Sequence, residues 1–380
     1  MSLDDDDLRA MMQAVRKFAE SELAPHAQER DENKHFPVDV LARAGELGLG
    51  GIYISEEHGG AELPRTVSVR LFEELARGDV ALAAYISIHN MVAWMVDSFA
   101  TDEVREEWLP ELAGMEKLAS YCLTEPDAGS DAAALRTTAV LDGDEYVLNG
   151  VKQFISGAGS THVYLVMART GDDGPRGITA FLVPGDSPGL SFGANERKMG
   201  WNAQPTRQVI LDGVRIPARL RLGEEGDGFG IAMRGLNGGR LNIAACSLGG
   251  ASWAVERAST HLRERIAFGK PLSAQQALQF RLADMETSLE ASRCLLDRAA
   301  TALDNGAPDA VKLCAMAKQF VTDHCFDAAN AALQLHGGYG YLSEYGVERV
   351  VRDLRVHQIL EGTNEIMRLI VSRSVLEGAA

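Results

Sequence analysis

The sequence of 380 residues predicts an α+β multidomain protein. It comprises an N-terminal α-helical domain over 1–117, a middle antiparallel β-domain over 118–225 and a C-terminal α-helical bundle of the four-helix type over 226–380. Two observations favour this division. Apolar residues recur every three to four positions in the first and last parts but shift towards every second position in the middle. Turn residues also multiply in the middle part, as is typical of short strands.

The N-terminal part is predicted to be a series of amphipathic helices. The first is marked by apolar residues at helical spacing, namely Leu8, Met11, Met12 and Val15. Further helices are predicted near 36–47, 66–77 and 81–99, with glycine-containing breaks at 48–51 and 58–60.

The middle part is predicted to contain short antiparallel strands. Strands at 137–141 and 146–149 flank Asp142-Gly143-Asp144, which is a hairpin signal. Three more strands are predicted at 163–168, 177–183 and 207–211. Such short strands at this spacing are typical of a sandwich or barrel.

Long helices are predicted again from residue 226 onward. One follows Pro271 and Ser273 and extends to about Asn305; another follows Pro308 and ends near Gly337. A last helix is predicted after residue 363. Long helices joined by short turns indicate an antiparallel bundle.

Composition excludes several classes of function. The chain has 37 Lys and Arg against 54 Asp and Glu, a net charge of −17, which disfavours binding to nucleic acid or to an anionic membrane. No stretch approaches the ~18 apolar residues of a membrane helix, and the acidic run at 4–7 is unlike a basic targeting peptide. The five cysteines form no CxxC pair and none of the nine histidines has metal-ligand spacing, so reduced core thiols and no metal are expected.

Three segments carry polar groups suited to a ligand. Residues 121–131, with the hydroxyls of Thr124 and Ser130 and a glycine turn, suit a polar ligand edge or a phosphate, or else simply connect two domains. Residues 153–157 place an aromatic ring two positions before a hydroxyl, on one face of a strand, although an ordinary strand does the same. The pair of glycines in 237–240 costs about 1 kcal/mol each in a helix, which indicates close approach of a ligand or of another helix.

Three later segments are helix ends when taken singly. They are 265–269 followed by Gln276, 334–340, and 360–365. The first two supply amide, guanidinium and N–H groups that could hold a nucleotide. The third places Glu361 between an apolar pair and a glycine, just before a helix start.

Taken together, these segments resemble the acyl-CoA dehydrogenase family over essentially the whole chain. The resemblance is carried by residues 199–207 (MGWNAQPTR), 234–244 (RGLNGGRLNIA) and 356–365 (VHQILEGTNE). It implies a homotetramer with tightly held FAD. It also implies that Glu361 is the base that removes the α-proton of an acyl-CoA thioester while the β-hydrogen leaves as hydride to the flavin.

The resemblance also implies roles for the remaining residues. The expected FAD contacts are Tyr121, Leu123, Thr124, Ser130, Phe154, Ile155, Ser156, Arg265, Phe268, Gln276, Gln334, Gly337, Gly338, Thr363 and Glu365. The expected acyl-CoA contacts are Ser130, Asn237, Arg240 and Gly362. The set from Arg265 to Gln276 and from Gln334 to Gly338 would reach FAD across a subunit interface.

Three positions depart from the family pattern. Phe154 stands where many members have Trp, and Glu365 where many have Gln, so an anion would lie near the FAD diphosphate. Some branched-chain members supply the base from the position that Gly239 occupies here. Because glycine has no carboxylate, Glu361 is the sole matching candidate.

The expected reaction is dehydrogenation of a short branched-chain acyl-CoA, with electrons passed to an electron-transfer flavoprotein. Isobutyryl-CoA, converted to methacrylyl-CoA in valine degradation, is the first substrate expected; 2-methylbutyryl-CoA and butyryl-CoA are alternatives, and an acyl-CoA oxidase is a further one. The expected compartment is the bacterial cytoplasm, or the mitochondrial matrix for a trimmed eukaryotic chain. Burial among apolar groups should raise the pKa of Glu361 while the nearby helix N-terminus should lower it, so the sequence leaves the direction open.

Overall fold

The computed structural model describes residues 5–376 and 378, so the first residue of the acidic run and the outermost residues of the first and last predicted domains lie outside it. The N-terminal part is helical, as predicted. Its helices are α1 (Asp5–Phe18), α2 (Ala27–Asn33), α3 (Val38–Glu46), α4 (Arg65–Gly78), α5 (Val80–Phe99) and α6 (Asp102–Ala113). A π-helical segment, Ala19–Leu23, continues α1.

Helix α5 is a long and strongly apolar helix. By length and composition it could cross a membrane, but 83% of its most apolar stretch is buried within the protein. The Asp79 carboxylate caps the N-terminus of the helix by accepting hydrogen bonds from the N–H groups of Ala81 and Leu82, at 3.0 and 3.2 Å. Such burial is typical of a core helix. The expectation that no stretch is as long and apolar as a membrane helix was therefore wrong for α5.

The middle part forms one eight-stranded sheet. Its strands are β1 (Ala119–Cys122), β2 (Thr138–Asp142), β3 (Glu145–Ser156), β4 (Val163–Arg169), β5 (Ile178–Pro184), β6 (Leu190–Phe192), β7 (Thr206–Pro217) and β8 (Arg221–Leu222). The order is β6-β7-β3-β2-β4-β5-β8, with β1 paired to β4. The predicted hairpin is confirmed, since β2 and β3 pair antiparallel up to Asp142 and Glu145.

The sheet is not antiparallel throughout. Strand β1 runs parallel to β4, and β2 touches β4 in parallel at Thr138. A parallel neighbour needs a crossover connection, and β1 reaches β4 only after the β2–β3 hairpin has intervened. The sequence pattern of alternating residues does not distinguish the two directions.

The C-terminal part consists of helices and one short hairpin. The helices are α7 (Gly228–Glu264), α8 (Gln276–Asp304), α9 (Ala310–Leu335), α10 (Val347–His357) and α11 (Asn364–Leu376). The strands β9 (Ile266–Ala267) and β10 (Lys270–Pro271) form a hairpin between α7 and α8.

Two hydrophobic cores organise the molecule. One joins the N-terminal helices to the C-terminal bundle, and the other joins the sheet to α5 and α6. Contact between α4 and α7 is close enough that a methyl group at Gly249 would lie 2.0 Å from the Glu73 carbonyl oxygen. Helix α7 therefore lies between the two helical parts, and its middle turns are buried on all sides.

Candidate active site

Glu361 lies in the turn between α10 and α11. Its φ is +57° and that of Gly362 is +86°, so two successive residues adopt the left-handed conformation. For a residue with a Cβ this conformation costs about 1–2 kcal/mol and is usually held by its surroundings. The residue is half-buried as a whole, but its Oε2 atom is inaccessible and has no hydrogen-bond partner within residues 5–376.

The carboxylate of Glu361 lies directly against Gly239 in the middle of α7. A Cβ atom at position 239 would come within 2.8 Å of Oε2 and 3.0 Å of Cδ. At Gly238 the neighbour is instead the Arg65 guanidinium, which lies 2.5 Å from the place that a methyl group would occupy. The missing side chains at both glycines leave room for the side chains of Arg65 and Glu361. Neither glycine is in close contact with the backbone of another helix.

Arg240 brings the two predicted segments together. Its Nε donates to the Glu361 carbonyl oxygen at 3.2 Å, and its Nη1 donates to Asn237 Oδ1 at 2.8 Å. Only 4% of the Arg240 residue surface is exposed. Burial raises the pKa of Glu361 to about 7, while the positive charges of Arg240 and Lys318 oppose that rise. The direction that the sequence left open is therefore upward.

Tyr121 of β1 faces the same interior. Its Oη is buried without a hydrogen-bond partner in the described part of the chain. Burial first, then the Glu361 charge, raises the pKa of Tyr121 well above the ordinary value. Unpaired buried polar atoms are rare and need a reason. A polar ligand group that reached either atom would supply the missing partner.

A buried ion pair fixes the loop after β1, and sequence reasoning missed it. Lys152 Nζ donates to Glu125 Oε1 at 2.7 Å and to the Leu123 carbonyl oxygen at 3.2 Å. The Glu125 carboxylate also accepts from the main-chain N–H groups of residues 136 and 137. A lysine at an inward position of a strand could have signalled this pair.

The same loop is brought beside the end of β3. The Gln153 N–H donates to the Thr124 carbonyl oxygen at 2.8 Å, so Leu123 and Thr124 adjoin the segment with Phe154 and Ser156. Ser130 lies on the exposed part of the loop.

The end of β3 contains a bulge rather than the regular alternation expected from sequence. The register against β7 shifts between Lys152 and Ile155, and Phe154 has a φ of +59°. Phe154 is left 62% exposed, whereas Ile155 is only 3% exposed and packs in the core. Any contact of Ile155 with a cofactor must therefore use its backbone. The bulge aims the Phe154 ring outward, as bulges near functional sites often do.

The remaining predicted FAD contacts lie around the β9–β10 hairpin and the end of α9. Arg265 places its guanidinium 5.7 Å from the centre of the Tyr339 ring, which joins the hairpin to the turn after α9. Phe268, at the hairpin tip, is 94% exposed. The other predicted contacts in this region are also exposed, namely Gln276, Gln334, Gly337 and Gly338. Their role at a subunit interface stays a prediction.

Thr363 and Glu365 lie at the start of α11. Thr363 Oγ1 accepts a hydrogen bond from the Ile366 N–H at 3.3 Å and so caps the helix. Glu365 is exposed and lies 3.5 Å from Arg368, which partly offsets its charge. Contact of either residue with a cofactor stays a prediction.

The residues present fit FAD. The exposed Phe154 ring offers a stacking surface next to the Thr124 segment, and the buried Tyr121 hydroxyl is free to bond a polar ligand group. At Gly337 and Gly338 no atom lies within 4 Å of an added Cβ, so the backbone there is open to a ligand. The positively charged Arg265 suits a diphosphate.

Comparison with known proteins accounts for nearly the whole chain. Family models for the N-terminal, middle and C-terminal domains of acyl-CoA dehydrogenases match residues 5–116, 120–214 and 226–376. The chain is 52% identical to "Isobutyryl-CoA dehydrogenase, mitochondrial" of Bos taurus over 372 residues, which are 98% of this chain and 89% of the bovine protein.

Solved structures agree with the sequence matches. Butyryl-CoA dehydrogenase of Megasphaera elsdenii is 36% identical, with a TM-score of 0.95 over 99% of both chains. A glutaryl-CoA dehydrogenase of Mycobacterium smegmatis in complex with FADH2 is 29% identical, with a TM-score of 0.93 over 100% of this chain and 96% of the other. Since domain order, sequence and fold all coincide, this chain belongs to the acyl-CoA dehydrogenase family and is an FAD-dependent oxidoreductase.

Proposed function

We propose that Glu361 is the catalytic base in the α,β-dehydrogenation of a short branched-chain acyl-CoA, with isobutyryl-CoA as the preferred substrate. The single observation that carries this proposal is the buried, unpartnered Oε2 of Glu361, held in a left-handed turn against Gly239. Because this oxygen has no hydrogen-bond partner among the described residues, its placement calls for a ligand.

The electrostatics suit proton abstraction. An ordinary carboxylate, with a pKa near 4.5, is a weak base toward the α-carbon of a thioester, whereas burial raises the pKa of Glu361 to about 7. A base with a pKa near the working pH combines a useful ionised fraction with stronger proton affinity. Burial of Oε2 also excludes water from the place where the proton is transferred.

The reaction then proceeds with a defined destination for each hydrogen. Glu361 takes the α-proton, the β-hydrogen leaves with its electron pair, and the C–C bond becomes a double bond. FAD, when bound, supplies the acceptor for that hydride. The main-chain N–H of Glu361 has no acceptor within residues 5–376, so it is available to the thioester oxygen, where negative charge develops.

The preference for a short acyl group rests on the relatives, while the structure shows which side chains surround Gly239. The neighbouring turns of α7 are already covered, since an added Cβ at Gly235 would meet Met95 at 1.8 Å and one at Gly238 would meet Arg65. The name of the bovine relative indicates isobutyryl-CoA, and that of the Megasphaera neighbour indicates butyryl-CoA, which is our second candidate.

The family resemblance further suggests a homotetramer that passes electrons to an electron-transfer flavoprotein. All five cysteines are free and four of them are buried. Such thiols persist in a reducing compartment, consistent with a bacterial cytoplasm or a mitochondrial matrix.

Substitution of the base tests the proposed function. In anaerobic stopped-flow experiments, isobutyryl-CoA should bleach the flavin of the wild type, and Glu361→Gln should slow bleaching at least about 10²-fold while retaining FAD. The wild-type rate should rise with pH, with its half-maximum near pH 7, because only the ionised carboxylate accepts a proton. Glu344→Gln, at an exposed acid, is the control. Bleaching of Glu361→Gln at the wild-type rate would refute the assignment.

A panel of acyl-CoA thioesters tests the substrate. Isobutyryl-CoA should bleach the flavin faster than 2-methylbutyryl-CoA or butyryl-CoA do. A faster reaction with either alternative would replace isobutyryl-CoA as the substrate. Rapid turnover with oxygen alone, without another acceptor, would instead identify an acyl-CoA oxidase.

A further inference from the structure

Lys318 is a fully buried lysine beside the turn that carries Glu361. It lies in α9, and its exposure is 0%. Its Nζ donates to the Gly362 carbonyl oxygen and to Asn364 Oδ1, each at 2.8 Å. One side chain from α9 thus holds two points of the turn between α10 and α11.

Burial of this ammonium costs desolvation free energy, which an ion pair would offset. Among the described residues, no carboxylate oxygen lies within 4.0 Å of Lys318 Nζ, so the charge has no direct ion-pair partner. A buried cation held only by neutral oxygens retains a large desolvation penalty. Its two acceptors both belong to the segment that places Glu361.

The turn needs such anchors because its backbone is strained. The left-handed conformation at Glu361 and Gly362 directs two successive carbonyl groups, and each meets a cation: Arg240 Nε at residue 361 and Lys318 Nζ at residue 362. Asn364 completes the anchor, since its Nδ2 donates to Asp323 Oδ1 at 2.7 Å.

We propose that Lys318 is a positioning residue for proton transfer: its ammonium fixes the main chain of 361–364 and holds positive charge beside the Glu361 carboxylate. This inference rests on the proposed function of Glu361. It assigns to α9, which supplies no predicted ligand contact before Gln334, a direct influence on the reacting carboxylate.

The charged groups around Lys318 and Glu361 determine how the two residues respond to pH. Lys318 is faced by groups from every neighbouring element, namely Glu361 in the turn, Arg240 in α7, Asp323 in α9, His357 in α10 and Glu365 in α11. Burial lowers the pKa of Lys318 to about 7, and the Glu361 charge opposes that fall. Glu361 is in turn faced by Arg240, Lys318 and Tyr121. Where Lys318 is protonated, its loss removes one of the two cations that favour the ionised carboxylate, so the pKa of Glu361 should rise further.

Two substitutions at Lys318 separate its charge from its hydrogen bonds. Lys318→Met removes both, whereas Lys318→Gln removes the charge but keeps an N–H donor. Lys312→Met is the matched control, because Lys312 lies on the same helix and its Nζ is 3.9 Å from Asp309, away from the turn. Each FAD-loaded variant is mixed anaerobically with isobutyryl-CoA, and the flavin reduction rate is measured across the neutral pH range.

For Lys318→Met we expect the half-maximum of the rate to move to higher pH by roughly one unit. The limiting rate at high pH should fall about tenfold, because a looser turn misplaces the base. Lys318→Gln should show the same pH displacement with a smaller loss of limiting rate, and Lys312→Met should match the wild type.

An unchanged pH profile in Lys318→Met and Lys318→Gln would overturn the inference while leaving the proposed function intact. Failure of both variants to fold with FAD, while Lys312→Met does so, would also overturn it, since the role would then be structural. If no acyl-CoA reduces the wild-type flavin, the proposed function fails and this inference fails with it.

Discussion

At Glu361 the proposed catalytic role opposes the stability of the folded protein. Its Oε2 is buried with no hydrogen-bond partner among the residues that the structure describes, and its backbone is left-handed. Burial favours the neutral acid over the carboxylate, yet the proposed reaction needs the carboxylate. Arg240 and Lys318 reduce this conflict without removing it, since the pKa still lies near 7.

This conflict predicts a pH-dependent gain in stability for Glu361→Gln. Burial raises the pKa of the acid from 4.5 to about 7, so between these values the folded protein binds more protons than the unfolded chain. The free energy of unfolding therefore falls as pH rises through this range, by about 3 kcal/mol at most. Glutamine cannot ionise, so the variant should be about 1–3 kcal/mol more stable than the wild type at pH 8 and similar to it near pH 4.5.

Urea unfolding of the two FAD-loaded proteins at both pH values measures this difference. The sign is informative, because removing an acid with a structural partner would destabilise the protein. A stability gap of the same size at both pH values would contradict the prediction.

At the scale of elements, periodicity predicted most helices and strands but not how they meet. The glycines of α7 are recognisable from sequence as unusual in a helix. The group that occupies the space beside Gly239 is the Glu361 carboxylate, and it comes from a turn about 120 residues further along the chain. The bulge at Phe154 was missed because strand alternation is a local pattern, and the bulge arises from pairing with β7. Lys152 and Lys318 were missed because a lysine in an apolar stretch indicates a buried charge at most and does not identify its acceptors.

Helix α7 offers a direct test of the space that the Glu361 carboxylate, the proposed base, occupies against Gly239. Gly239→Ala should favour the helix by about 1 kcal/mol in intrinsic propensity, but its Cβ would lie only 2.8 Å from Glu361 Oε2. The carboxylate must then move, and we expect flavin reduction to slow by about 10²-fold with FAD retained. Gly230→Ala is the control in the same helix, since no atom lies within 4 Å of its added Cβ.

The two alanine variants are compared by thermal unfolding and by anaerobic flavin bleaching. Gly230→Ala should keep the wild-type rate. A wild-type rate in Gly239→Ala would show that the carboxylate does not depend on this space.

At the scale of the whole molecule, the site lies where all three parts of the chain meet. Tyr121 comes from the sheet, Arg65 packs on α7 from the N-terminal helices, and Glu361 comes from the C-terminal bundle. Trp201, from the loop between β6 and β7, joins two of these parts, because its N–H donates to Asp353 Oδ1 at 2.6 Å and its Nε1 donates to His357 Nε2 at 3.2 Å. The sequence contained each segment, but such long-range contacts follow only from the assembled fold.

The β9–β10 hairpin carries the last prediction, which concerns assembly. Phe268 is 94% exposed at its tip and Tyr341 is 81% exposed in the turn after α9. Apolar surface of this kind usually marks an interface, and an aromatic anchor in an interface contributes about 2 kcal/mol or more. The family resemblance implies four copies of the 41.0-kDa chain, about 164 kDa, and we expect Phe268→Ser to form smaller species that lose FAD.

Light scattering coupled to size-exclusion chromatography measures the mass, and the flavin absorbance of each peak measures FAD retention. Val140→Ser is the control, because Val140 is 61% exposed on β2 and belongs to no predicted contact set. Since the hairpin is predicted to reach the FAD of a neighbouring subunit, loss of mass and loss of flavin should occur together in Phe268→Ser. A variant that remains tetrameric and yellow would show that the hairpin tip anchors neither the assembly nor the cofactor.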